Sequence, residues 1–181
     1  MMKNVPYSDV TSKAKSRTAW AGYAACILAL GHAAVSFYWA SGGTVGLSTV
    51  GGELEAMGRA ASPLLSVVVW GVGTAKVAAG LLALALVMPW GRVFPRWAML
   101  AAGWGGATLL ALYGGVLVTV EALVVGGIIV PSGPVDWIAL KWHLFLWDPW
   151  FFVWGVLLGV AAWHYTRSSR TERHTQKKLV Q

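Results

Sequence analysis

Charge is scarce in this chain: 12% of its 181 residues are charged, against about 25% in soluble domains. That shortage argues against an ordinary water-soluble globular domain. Cysteine is scarcer still. Cys26 stands alone, so no intramolecular disulfide can form. Acidic residues number seven against fourteen basic ones. Several motifs are missing as well: there is no phosphate-cradling P-loop, dinucleotide-binding glycine pattern, CxxC, HExxH or GxSxG. Those absences remove the sequence grounds for the enzyme classes such motifs mark, and no cofactor is expected.

Apolar length is what the chain has in abundance. It is 57% hydrophobic, with 12 tryptophans and a mean hydropathy of +0.61. Crossing ~30 Å of hydrocarbon takes roughly 20 mostly apolar residues. Four stretches qualify: Ala19–Ala40, Leu64–Met88, Trp97–Thr119 with a possible extension, and Trp147–Tyr165. The pattern predicts an all-α integral membrane four-helix bundle. The basic leader is followed by about 22 apolar residues, beyond the ~7–15 of a cleaved signal core, so the first stretch reads as a retained helix.

Basic residues set the expected orientation. With four crossings, eleven of the fourteen fall on one face: Lys3, Lys13, Lys15 and Arg17, then Arg92 and Arg96, then Arg167, Arg170, Arg173, Lys177 and Lys178. The positive-inside rule puts that face, with both termini, in the cytoplasm of a plasma-membrane protein. The +7 charge then serves anionic lipid headgroups, not nucleic acid. Residues 1–18 form a cytoplasmic segment expected to be poorly ordered. Residues 19–166 form one four-span domain, and 167–181 a basic cytoplasmic tail.

The connections carry their own signals. The segment 41–62 is a glycine-rich outer loop with a short helix starting near Ser48 or Thr49. Pro63 suits the first turn of the second span, and PWGRVFPRW (89–97) forbids a continued helix. The third apolar run reaches Val130, near ~50 Å at 1.5 Å per residue, so it either projects from the membrane or breaks at Gly126-Gly127. The stretch WIALKWHLFLW (137–147) fits an additional interfacial segment or a partly embedded hairpin before the fourth span. Asp148 and Pro149 read as N-cap and first helical residue of that span. Gly71, Ala75, Ala79 and Ala83 recur every four residues in the second span, as do Gly103, Ala107, Ala111 and Gly115 in the third. Such lines let helix backbones approach closely in lipid, and they predict that spans two and three pack together.

Polar groups in hydrocarbon are costly and face a bundle interior or a wet cavity. His32, Lys76, Glu121 and Asp148 supply one titratable group per helix, all in the middle-to-outer half, and are the candidate catalytic residues. A Lys76–Glu121 ion pair is one arrangement. His143 and Lys141 read as interfacial, and His164 has no assigned role. Eight tryptophans read as interfacial belt residues, among them Trp39. Trp70, Trp104, Trp150 and Trp154 lie deeper. Trp39, Trp70, Trp150 and Trp154 are the candidate ligand-binding set. No pair of His, Asp or Glu shows metal-ligand spacing on one helix, so no metal is expected.

Two segments, HAAVSFYWASGGTVGL (32–47) and LWDPWFFVWGVLLG (146–159), resemble short four-span membrane proteins common in actinobacteria that carry a domain-of-unknown-function label. The resemblance covers most of residues 19–165. It implies a multi-pass cytoplasmic-membrane protein and brings no catalytic residues with it.

Three functional readings follow. A tryptophan-rich bundle with a few convergent polar groups suits a small hydrophobic or lipid-like ligand in an outer-leaflet cavity. The same carboxyl groups suit proton transfer on an isoprenoid or lipid, of isomerase or cyclase type, with indole faces stabilising a cation. The third is a structural or regulatory partner of a membrane protein, a homo-oligomer, or a small proton-coupled transporter.

Overall fold

The computed structural model describes the backbone of residues 7–179 and the side chains of residues 19–167. No strand occurs among the described residues. Helix α1 is Tyr7–Ala40, α2 Gly52–Arg59, α3 Pro63–Val87, α4 Arg96–Val125, α5 Trp137–Trp142 and α6 Asp148–Leu179. Four segments are long and apolar enough to cross a membrane: Ala19–Ala40, Pro63–Val87, Arg96–Val125 and Trp137–Arg167. The all-α four-span architecture is therefore the one found. The backbone of the leader is helical from Tyr7 onward. No glycine or proline interrupts residues 7–18. The side chains of the basic residues 170–178, expected to meet lipid headgroups, lie outside the described residues.

Local chemistry explains the helix ends. Ser62 accepts from Leu65 N at the start of α3, with Pro63 in the first turn. Pro89 and Pro95 confine the α3–α4 connection to a short 3-10 turn, Pro89–Val93. Helix α4 has 30 residues, about 45 Å at 1.5 Å per residue, so it outreaches ~30 Å of hydrocarbon. It stops where the glycines allow. Gly127 takes a left-handed φ of +70°, and Ile128 N then donates back to Leu123 O at 2.9 Å, the bond that closes a Schellman turn. Both readings of the long third run are thus partly realised.

The helices pack in a different pairing from the one the small-residue lines predict. Helix α1 packs along α3 and α4 along α6, with α1 against α6 joining the two pairs, whereas α3 and α4 barely meet. On α3 the contact face is Gly73, Gly80 and Ala83. Gly73 faces the Phe37 ring and Gly80 faces Ala29 and Cys26, whereas Gly71 and Ala75 are exposed. The line on α4 is used mainly by α6. Ala107 is buried, Gly115 meets Phe152, and Gly103 meets Ala162 of α6 and Leu86 of α3 at equal distance. A four-residue repeat shows that a face is thin; it does not say which helix fills it.

The closest approach lies between α4 and α6. A Cβ on Gly114 would stand 2.5 Å from both Asp148 O and Phe152 N, and one on Gly155 would strike Ala111 N. Backbone therefore meets backbone at two levels. Two turns beyond Gly114, Glu121 falls on the same buried face of α4, beside the start of α6.

The segment before α6 corrects the reading of Asp-Pro. Asp148 is not an N-cap: its φ and ψ, −82° and −37°, are helical. The cap belongs to Asp136, whose Oδ1 accepts from Ile138 N and Ala139 N at 3.0 and 3.1 Å. From Trp137 the chain stays helical through one π turn, His143–Trp147, into α6. Proline within a helix clashes with the carbonyl four residues back, here that of Phe145. The wider turn, in which Asp148 N donates to His143 O, accommodates it.

Candidate functional site

The π turn also has a chemical result. Five residues span about 1.4 turns of a regular α-helix, which would separate His143 from Asp148. In the wider turn they meet, with His143 Nδ1 3.0 Å from Asp148 Oδ2. Asp148 is only 1% exposed, held under α4 where Gly114 lets the two backbones close. Glu121 joins the pair from α4. One ligand-capable atom each of Glu121, His143 and Asp148 lies within 4.8 Å of the others. Glu121 is 9% exposed, and its Oε2 is buried with no hydrogen-bond partner. No lysine or arginine among the described residues forms an ion pair with either carboxylate.

The loop after α1 completes the frame. Val50 O lies 3.3 Å from His143 Nε2, and Thr49 Oγ1 accepts from Trp147 Nε1 at 3.1 Å. Gly51, with a φ of +67°, turns the chain there against Ala139 and Asp136; a side chain at this position would be strained.

A second polar cluster lies between α1 and α3. Lys76 Nζ donates to Ser36 Oγ at 2.8 Å and sits 2.9 Å from His32 Nδ1. The expected Lys76–Glu121 pair is therefore absent. Helix α3 packs on α1, so the ammonium finds its partners there. Three rings from the fourth span surround His32: Trp147 at 5.5 Å, Trp150 at 5.5 Å and Phe151 at 4.7 Å. Lys76 Nζ is 5.9 Å from the Phe151 centroid, within cation–π range. Trp147 thus packs on one cluster and immediately precedes a member of the other.

Beside the carboxylates an open cleft of about 480 Å³ is lined by Leu117, Glu121, Pro134, Val135, Asp136, Leu140 and His143. None of the four candidate ligand-binding tryptophans lines it. Trp39 packs edge-on to Trp147 and donates to Val45 O. Trp70 lies tilted against Phe37 and is exposed. Trp150 donates to Leu28 O. Trp154 is a core residue, 2% exposed, whose Nε1 has no partner. Of the candidate catalytic residues, the structure gathers Glu121 with Asp148 and, separately, His32 with Lys76. His143 is the member that sequence reading left at the interface. Its spacing of five from Asp148 matches no α-helical ligand pattern, and Pro149 is the only local sign of the turn that joins them.

Four apolar membrane-length helices and buried titratable groups define the chain as an integral membrane protein. A family model described as "Protein of unknown function (DUF3995)" matches residues 29–158. The chain belongs to that family, and the matched span contains both clusters. No curated protein and no solved structure shows a match to it.

Proposed function

We propose that this is a multi-pass protein of the cytoplasmic membrane, with both termini cytoplasmic, that binds a small amphiphile in the cleft beside Glu121 and His143. The orientation is supported by the eleven basic residues assigned to the terminal face. With that orientation the cleft opens at the outer leaflet.

The cleft's lining carries the ligand reading. Ligand pockets are concave, of ~300–1,000 Å³, and mainly apolar with a few placed polar groups. Leu117, Pro134, Val135 and Leu140 provide the apolar wall, and Glu121, Asp136 and His143 the polar end. An apolar chain with a polar head matches both halves. The tryptophans then serve packing and the interface, with His32 and Lys76 holding α1 to α3.

Mass spectrometry of lipids retained through gentle purification tests this. One lipid class should be enriched over the bulk membrane, and Leu117→Trp, which fills the cleft, should reduce that class at least fivefold. Retained lipid that mirrors the bulk composition in both proteins would overturn the reading.

A further inference from the structure

We propose that Glu121, His143 and Asp148 form a binding site for a divalent transition-metal ion of the zinc or manganese type. The argument starts from hydrogen-bond bookkeeping. Val50 O is a carbonyl and can only accept, so His143 Nε2, 3.3 Å away, carries a hydrogen. In a neutral imidazole Nδ1 is then an acceptor, yet it faces Asp148 Oδ2 at 3.0 Å. Two acceptors at that separation need a proton or a metal ion between them. A second proton on the ring would serve Nδ1 and Asp148, but it would leave Glu121 Oε2, buried and unpartnered, with nothing. One metal ion satisfies all three groups.

Charge points the same way. With both carboxyls ionised and the imidazole neutral, the site would carry a formal charge of −2 next to hydrocarbon, without a lysine or arginine ion pair among the described residues. Uncompensated buried charge is strongly unfavourable, and a divalent ion cancels this one. The Val50 carbonyl plays the usual supporting role, fixing the tautomer so that the other nitrogen is free to ligate.

The ligand set selects the ion class. Calcium takes six to eight oxygens, whereas three protein ligands including an imidazole suit zinc, manganese or iron. Bonds of about 2.0–2.2 Å require ligand atoms about 3.3–3.6 Å apart in a tetrahedral site. The atoms here lie within 4.8 Å of one another, so side-chain movement of about 1 Å closes the shell. Glu121 and His143 also line the cleft, which leaves the remaining coordination position directed toward bound ligand or water. Sequence spacing alone hid the site, because one of its pairs depends on the π turn.

The site is tested with Zn²⁺ and Mn²⁺ on full-length detergent-purified protein stripped by chelator and reloaded. Elemental analysis after desalting should find about one equivalent per chain. Glu121→Gln and Asp148→Asn should each weaken binding at least tenfold, while His32→Ala, in the other cluster, should leave it unchanged. A Glu121→Gln/His143→Gln double variant sets the background from other residues. If Asp148→Asn fails to give monodisperse protein, Glu121→Gln, at the cleft wall, carries the test. Metal content no greater than the double variant's, or binding indifferent to Glu121→Gln, would overturn the site. Leu117→Trp should lower lipid retention without lowering metal content, so failure of the two proposals can be told apart.

Discussion

Two buried polar clusters lie on either side of Trp147, and they differ in the charge each holds and in access to a cleft. Around Lys76, the hydroxyl of Ser36 and Nδ1 of His32 take two of the ammonium's hydrogens, the Phe151 ring lies within cation–π range, and His32 Nε2 is buried without a partner among aromatic rings. Around Asp148 the groups are acceptors, one carboxylate oxygen has no partner, and two of the three residues border a cleft. Buried polar groups are ordinarily paired. The cluster that holds its own cation across α1 and α3 and borders no part of that cleft reads as helix-to-helix adhesion. The one left short of donors and open to a cleft reads as a place for something else to bind.

Replacements can break or sharpen that contrast. The largest effect is expected from Gly114→Leu, which forces apart the backbones of α4 and α6 beside Asp148. Overpacking here should cost about 3 kcal/mol, measured by reversible unfolding in mixed micelles, and should abolish metal retention while leaving the Lys76 cluster's own contacts intact. A stability change under about 0.5 kcal/mol, the range of neutral surface changes, would mean that this crossing is not tight.

Next comes Asp148→Ala, which removes the buried carboxylate that faces His143 Nδ1 and, with it, the proton or metal ion the two share. Losing such a charge-assisted contact costs about 2 kcal/mol, and the same unfolding assay reads it. The smallest effect is expected from Lys76→Met. It removes a buried charge in favour of an apolar side chain of similar length, an exchange that is often neutral or stabilising, and a loss of at most about 1 kcal/mol is expected. Should Lys76→Met prove costlier than Asp148→Ala, the assignment of adhesive and binding roles would have to be reversed.

Much of this was legible beforehand, and the failures have definite causes. His32, Lys76, Glu121 and Asp148 stood out because ionisable groups are rare in apolar runs, and all four lie in the bundle between helices. Their partners were not legible. A Lys76–Glu121 pair requires a shifted third span or an outward-reaching Lys76, and the small-residue lines predict spans two and three side by side. Instead α3 lies along α1, and Gly73 and Gly80 seat Phe37 and Ala29. The Asp-Pro step reads as a helix start because that pair favours caps. Asp136, twelve residues earlier, holds that role, and Pro149 is absorbed by a turn no hydrophobic period reveals.

The amino-acid order alone determined that this chain threads hydrocarbon four times and which ionisable side chains it commits to the interior. Those are consequences of transfer free energy summed along a stretch, and such sums are local. Which helix lies against which, and hence that Glu121, His143 and Asp148 share one corner while Lys76 sits apart, was decided only in three dimensions. Close helix packing depends on two surfaces fitting each other, and a one-dimensional pattern describes each surface without its mate.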